Sequence, residues 1–207
     1  MYVPTHFAPD DEAVHELLAH HGAADLVTAG PDGLEATMLP FLYDRERAAL
    51  LGHFARSNDH WRHVDGVRAL VIVRGPDSYI TPTWYASKAE HGRVVPTWNY
   101  VVANVHGTVT VHDDTDWLAD LVRRLTDHHE DGRPEPWSVD DAPRKFFEGQ
   151  LRAIVGVEVA IERIDAKFKL SQNRPDADID GVVTGLRSEG DERGASAVQT
   201  HRPDRRR

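Results

Sequence analysis

The chain of 207 residues has no cysteine and two methionines. Without thiols there can be no disulfide framework, thiolate nucleophile, iron–sulfur cluster or Cys-rich zinc site, so any metal would have to be held by His, Asp, Glu, Tyr or Met. Long apolar runs are also missing. Nothing approaches the roughly eighteen residues that a membrane-crossing helix needs, and with 40% hydrophobic and 28% charged residues the composition is that of a globular chain. The start, Met-Tyr-Val-Pro-Thr-His-Phe, shows no basic region followed by an apolar one, so a cytoplasmic location is expected and no membrane partner. Two glycine signatures are absent as well, Gly-x-Gly-x-x-Gly and Gly-x-x-x-x-Gly-Lys-Ser/Thr, which argues against dinucleotide and P-loop sites of the usual kind. No internal repeat is visible.

Positive charge is scarce: Lys and Arg number 24 against 34 acids, a net charge of −10. The imbalance sits in the body, because from Arg187 onward there are six Arg and only four acids. An acidic body repels nucleic acid, whose binding draws much of its affinity from phosphate neutralisation, so direct DNA binding is not favoured. Residues 1–187 are expected to form one domain. Residues 188–207, with Gly190, Gly194, Ser196 and Pro203 among charged residues, read as a disordered basic tail.

Apolar periodicity predicts a short helix after an Asp10 N-cap, carrying Val14, Leu17 and Leu18 and stopped by Gly22. Strands follow at Leu26–Thr28, Leu34–Tyr43 and Ala48–Phe54, the first two joined by a turn at Gly30-Pro31-Asp32-Gly33. More strands are expected at Val67–Val73, Tyr79–Thr81, Val94–Val111 (bent near Gly107) and Ile154–Ile164. Helical spacing marks Asp114–His129, a segment from Pro143 to about Leu151, and Asp178–Arg187. Many antiparallel strands without βαβ alternation indicate an α+β fold built on a closed or nearly closed barrel with peripheral helices.

Metal-like patterns fail on geometry. His15 and His20 are five apart, where the zinc-protease helix needs four. His60 and His63 flank Trp61 and Arg62 and suggest a capped surface helix, and Asp127-His128-His129-Glu130 reads as a solvated helix end.

Two other runs do not look like core. Val95 to Tyr100 reads Val-Pro-Thr-Trp-Asn-Tyr, and Lys169 to Arg174 reads Lys-Leu-Ser-Gln-Asn-Arg. Polar groups shielded from water cost roughly 1 to 3 kcal/mol each unless partnered, so such runs mark either a ligand site or a hydrogen-bonded strand end. Gly52 to Asn58 and Tyr79 to Tyr85 share the same mixture of aromatics and donors. A flat phosphorylated ligand such as FMN asks for these groups: aromatic walls, amides and a cation for the phosphate. Haem asks for nearly the same set plus an axial ligand, and composition does not choose between them.

Through these residues the chain resembles the PaiB-like proteins, FMN-binding split barrels known as negative transcriptional regulators. The resemblance runs from Tyr2 to Leu186. It rests on Gly52-His53 with Ala55-Arg56 and Asn58, on Trp61, Gly75-Pro76 and Tyr79-Ile80 with Pro82 and Trp84-Tyr85, and on the runs Lys88 to Tyr100 and Lys169 to Arg174. It implies a split β-barrel, a homodimer and FMN bound at the subunit interface. Arg56, Ser57 and Lys88 would then lie at the phosphate, with Asn58, Tyr79 and Thr81 nearby. Trp84, Tyr85, Trp98, Asn99 and Tyr100 would line the ring pocket, and Lys169, Gln172, Asn173 and Arg174 would close it. Met38 and Asn104 stand where the family pattern has histidines. Some relatives are haem-dependent piperazate synthases that form a nitrogen–nitrogen bond from N-hydroxyornithine. For haem b the candidate ligands are His53, His91 and His106, with Met38 as a weak axial donor. Three functions follow: a flavin-binding regulator, a haem enzyme of the piperazate type, and a flavin-dependent oxidoreductase acting on a small molecule.

Overall fold

β-Branched and aromatic residues that alternate with polar ones set six strands: β1 (Ala23–Gly30), β2 (Gly33–Asp44), β3 (Ala49–Ala55), β4 (Arg68–Ile80), β5 (Thr97–His112) and β6 (Ile154–Lys169). The structure, a computed structural model, describes residues 1–30 and 33–204. The strands close into a barrel in the order β1-β2-β3-β6-β5-β4. Antiparallel registers fix which side chains face inward. Leu26 of β1 stands opposite Val71 of β4, while Leu50, Gly52 and Phe54 of β3 oppose Val159, Val157 and Val155 of β6. These apolar residues are buried, and they form the barrel interior. The chain is therefore an α+β protein with a β-barrel core, as the periodicity indicates. The two strands read at Val67–Val73 and Tyr79–Thr81 are one continuous strand, and the turn residues Pro31 and Asp32 lie outside the described residues.

The described chain divides into two compact units, one made of Met1–Val14, Arg74–Ala103 and the residues from Asp165 onward, the other of His15–Val73 and Asn104–Ile164. The pairings above belong to the second unit. There, helix α3 (Thr115–Glu130), which in the chain follows α1 (Asp11–His20) and α2 (Ser87–His91) and precedes α4 (Arg144–Leu151), lays Leu121 and Leu125 on Ala49 and Leu51, the outward-facing residues of β3. Asp114 caps this helix by accepting the Trp117 N–H at 2.8 Å, and the Trp117 ring stacks on His112 at 4.0 Å. The Gly107 position expected at a bend serves a close approach. A Cβ there would lie 2.2 Å from the Ala160 carbonyl oxygen, so only glycine lets β6 come this near.

His60 departs from the surface role that its sequence neighbours suggest. Only 1% exposed, it sits in a 3₁₀ turn (Asp59–His63) with one ring nitrogen 2.8 Å from Thr28 Oγ1 and the other 2.8 Å from Thr37 Oγ1. Asn58 accepts the His60 backbone N–H at 3.0 Å and donates to Thr37 Oγ1 at 3.3 Å. The imidazole thus clasps the β1–β2 hairpin from within. Spacing could not show this, because the threonines are 32 and 23 positions away.

In the first unit, helix α2 (Ser87–His91) is short, α5 (Asp176–Ser188) is apolar on one face, and α6 (Glu192–Thr200) packs on α5. Helix α6 corrects the expectation of a disordered tail. Asp191 accepts the Gly194 N–H at 2.8 Å, Ala195 and Val198 are buried, and Arg202 reaches Asp176 and Asp180 of α5. Polar composition concealed a two-residue apolar stripe that is sufficient once α5 supplies the opposing face. Arg205 to Arg207 lie outside the described residues.

His60→Ala should cost about 3 kcal/mol in urea unfolding, because it leaves the buried Thr28 hydroxyl unpaired, takes one of two partners from Thr37 and opens a cavity where the ring was. Burial lowers the pKa of His21, His53, His60, His128 and His201 from the usual 6.5. The unfolded chain therefore binds more protons as pH falls below 6.5, and stability is complete above that value and declines beneath it. The urea midpoint at pH 5.5 should be lower than at pH 7.5; an unchanged midpoint would contradict these shifts.

Candidate functional site

Strand alternation divides the Val95 to Tyr100 run. Asn99 faces inward at 2% exposure, while Trp98 and Tyr100 point the other way and Trp98 is 48% exposed. Three adjacent letters therefore do not line one wall. Asn99 Nδ2 donates to Ser171 Oγ at 3.0 Å, and Ser171 Oγ lies 3.2 Å from Asn99 Oδ1. Both side chains are buried, and Ser171 adopts φ +67° to reach its place. That conformation is uncommon for a residue with a Cβ and marks a loop held by tertiary contacts.

The rest of the Lys169 to Arg174 run is shaped around this pair. Gln172 folds onto its own loop, donating to the Phe168 carbonyl at 2.6 Å and accepting the Leu170 N–H at 2.7 Å. Lys169 Nζ donates to Thr97 Oγ1 at 2.6 Å and to the Trp98 carbonyl. Burial lowers the Lys169 pKa, and the positive charges of Lys167 and Arg174 lower it further. Three cations thus crowd one region, and the lysine's hydrogen bonds go to neutral oxygens. Arg174 lies over the Tyr85 ring at 4.5 Å, and burial pushes the Tyr85 hydroxyl up. Lys167 faces the Tyr100 ring at 5.6 Å. Asn173 is exposed.

Tyr79 is half exposed, with its ring centroid 6.2 Å from that of Trp98, whose indole N–H donates to Asp77 at 3.0 Å. Thr81 caps the turn Pro82–Trp84 by accepting the Thr83 N–H, and Lys88 reaches Thr83 Oγ1 at 3.5 Å. Trp84 has a packing role. A Cβ on Gly181 would stand 1.9 Å from the Trp84 carbonyl oxygen, and one on Gly185 would stand 2.2 Å from the indole, so α5 offers this residue a glycine groove. Asp178, wholly buried, accepts both the Ser87 N–H and the Ser87 hydroxyl at 2.9 Å, which anchors the start of α2 to α5.

All twelve expected residues from Tyr79 to Arg174 fall in the first unit, and Arg56, Ser57 and Asn58 fall in the second. Arg56 is engaged there, donating to Asp113, to the Arg152 carbonyl at 2.8 Å and to the Ile154 carbonyl at 2.9 Å. Asn58 serves His60, and Ser57 is exposed. Sequence reading missed Ser87, Lys167 and Asp178, and gave Ser171, within the Lys169 to Arg174 run, no role of its own. The Gly181-x-x-x-Gly185 spacing on one helix face was the available signal for the Trp84 seat.

No group of three or more potential metal ligands converges among the described residues, and none of their helices is long and apolar enough to cross a membrane. A six-stranded antiparallel barrel with peripheral helices and an aromatic, cation-rich loop cluster defines the class of flavin-binding split-barrel proteins. The chain belongs within that class to the family described as "Putative FMN-binding domain", whose model matches residues 1–163, and FMN is the cofactor of that family. It is PaiB-like: it is 31% identical to "Protease synthase and sporulation protein PAI 2" of Bacillus subtilis (strain 168) over 193 residues, 91% of this chain and 90% of that one. It is 36% identical to "Uncharacterized protein YKL070W" of Saccharomyces cerevisiae over 122 residues, 56% of this chain and 72% of that one. Among solved structures it is similar to the conserved hypothetical protein Rv2991 from Mycobacterium tuberculosis (TM-score 0.61, 11% identity, covering 84% of this chain and 94% of that one). It is also similar to the FAD and heme binding protein from Mycobacterium smegmatis (TM-score 0.59, 20% identity, covering 78% and 72%). At these identities the two structures support the fold alone.

Alanine in mid-helix normally stabilises by about 1 kcal/mol over glycine. Gly181→Ala should have the opposite sign here and cost roughly 2 to 4 kcal/mol, since a backbone oxygen blocks the new methyl group. Thermal unfolding together with tryptophan emission tests this, and a raised Tm would refute the groove.

Proposed function

We propose that the first unit holds FMN and that the protein works as a PaiB-type regulator responding to its flavin. The observation that carries this reading is the cation cluster. Lys167 and Arg174 lie close enough to Lys169 for their charges to lower its pKa beyond what burial does, an arrangement that a phosphate would relieve. The donor set fits the cofactor: cations for phosphate, Lys88 and Thr83 for further oxygens, and the exposed Tyr79 and Trp98 with Tyr100 as flat surfaces for the ring system. The phosphate role thus moves from Arg56, which is spent on Asp113 and two carbonyls, to Lys169 and Arg174. When bound, the flavin would supply one- or two-electron redox chemistry. The chain's own part is to neutralise the phosphate and to support the ring.

The exposed aromatics Tyr2, Tyr79 and Trp98 would be covered in a homodimer, and a cytoplasmic dimer is part of this proposal. Regulation would act through the loaded flavin or a protein partner rather than direct DNA contact, given the net charge of −10. Haem suits the candidate ligands less well. His53 lines a cleft of about 310 Å³, small for a macrocycle with propionates, His91 Nδ1 already accepts the Arg93 N–H at 3.1 Å, and Met38 is exposed on β2.

Purified protein titrated with FMN should develop perturbed visible flavin bands, whereas haem added in parallel should give no intense Soret band. Lys169→Ala and Arg174→Ala should each weaken FMN binding by about tenfold to a hundredfold, the loss of a charge-assisted contact. Riboflavin, which has no phosphate, should bind wild type and variants alike. Equal losses for FMN and riboflavin would remove these residues from the phosphate.

A further inference from the structure

The chain has four lysines, Lys88, Lys145, Lys167 and Lys169, and the last differs from the others in what surrounds its amine. Lys169 ends β6 and is half-buried. Its Nζ donates to Thr97 Oγ1 at 2.6 Å and to the Trp98 carbonyl, and it stands 5.9 Å from the centre of the Phe7 ring. Both acceptors are neutral oxygens, and Lys169 makes no ion pair among the described residues. An ammonium has three N–H groups to place, whereas a neutral amine has two and keeps a lone pair. The two acceptors match the neutral amine.

The surrounding charges act in the same direction. Burial disfavours the ammonium, Lys167 and Arg174 disfavour it further, and no carboxylate among the described residues offsets them, so the Lys169 pKa lies below the usual lysine range. Neither cation is placed to share a proton with it. Lys167 Nζ donates to the Tyr2 carbonyl at 3.3 Å and faces the Tyr100 ring, and Arg174 lies over Tyr85. A lysine desolvated beside other cations is an activated nucleophile, and its characteristic reaction is imine formation at a carbonyl carbon. The same two cations favour an anion close by, so the carbonyl compound suited to this place carries a phosphate.

We propose that Lys169 is a nucleophilic amine that captures a short-chain phosphorylated aldehyde as an imine. The Nζ lone pair forms the C–N bond, the carbonyl oxygen takes one amine proton to give a carbinolamine, and that oxygen leaves as water with the second proton. No oxidant or reductant enters. The phosphate's place beside Lys167 and Arg174 rests on the flavin reading, whereas the reactivity of the amine does not. Glycolaldehyde phosphate and glycolaldehyde are the probes, one aldehyde with and without the anion, each incubated at neutral pH with the full-length protein and cyanoborohydride to fix any imine as a secondary amine. Peptide mass mapping over time gives a rate for each lysine. With glycolaldehyde phosphate, Lys169 should be modified faster than Lys88, Lys167 and Lys145, which is exposed on α4. Without the phosphate its rate should fall by about tenfold, the value of one charge-assisted hydrogen bond, while that of Lys145 changes little. Arg174→Gln should narrow the difference between the probes, and Lys169→Arg should abolish the fast label without moving it to Lys167. Because either variant could misfold, the comparison of the four lysines in the wild type decides by itself. Modification of Lys169 no faster than that of Lys145, or equal rates for the two probes at Lys169, would overturn the proposal. FMN added beforehand should protect Lys169 and leave Lys145 reactive; fast, phosphate-dependent labelling that FMN does not slow would count against the flavin reading and leave the amine's reactivity standing.

Discussion

The hydrogen-bonded pair of Asn99 and Ser171 is the constraint around which the candidate site is built. A primary amide cannot be enclosed beside a barrel strand without a partner, and the partner here comes from 72 residues away. To supply it, the chain leaving β6 turns through a positive φ at Ser171, and Gln172 closes the loop on itself. Lys169 and Arg174, at the two ends of this short loop, are thereby fixed as neighbouring cations, one reaching Thr97 and the other lying over Tyr85. An arrangement that looks like ligand chemistry in sequence is first a solution to a burial problem. Its by-product is an electropositive surface on an acidic protein.

A similar economy governs the two units. In the first, Asp178 and the Gly181–Gly185 groove fasten α2 and Trp84 to α5, so the segment between Tyr79 and Lys88 owes its course to a helix nearly a hundred residues later. In the second, His60 joins Thr28 and Thr37 inside the hairpin, and Arg56 binds Asp113 and two carbonyls at the end of β3. Residues that stand out in the family pattern divide accordingly. Arg56, Asn58, Trp84, Asn99 and Gln172 hold the scaffold, while Lys88, Trp98, Tyr100, Lys169 and Arg174 are the residues that the proposed flavin reading assigns to a ligand.

Much of the fold was legible because strands and helices announce themselves by local period. Asp10 and Asp114 cap the helices where capping chemistry places them, and the apolar stripe of Asp114–His129 became α3 with little change of boundary. The errors share a cause. His60 read as a surface residue, residues 192–200 read as tail, and Trp98, Asn99 and Tyr100 read as one wall, because partners remote in sequence decide burial and facing. Ser87 and Asp178 gave no signal, since a serine and an aspartate are ordinary at helix starts and their pairing is purely spatial.

The sequence by itself determined the α+β barrel, the acidic character that disfavours nucleic acid, the exclusion of thiol chemistry and the membership of an FMN-binding family. The first three follow from periodicity and composition, which are properties of neighbouring positions, and the family follows from similarity to known relatives along the chain. The tertiary structure alone decided which polar groups are consumed by the scaffold, where three cations converge, and that the amine of Lys169 meets two neutral oxygens. Those outcomes depend on which residues are brought within hydrogen-bonding distance after the chain closes, and a pattern of period two or 3.6 does not carry that information.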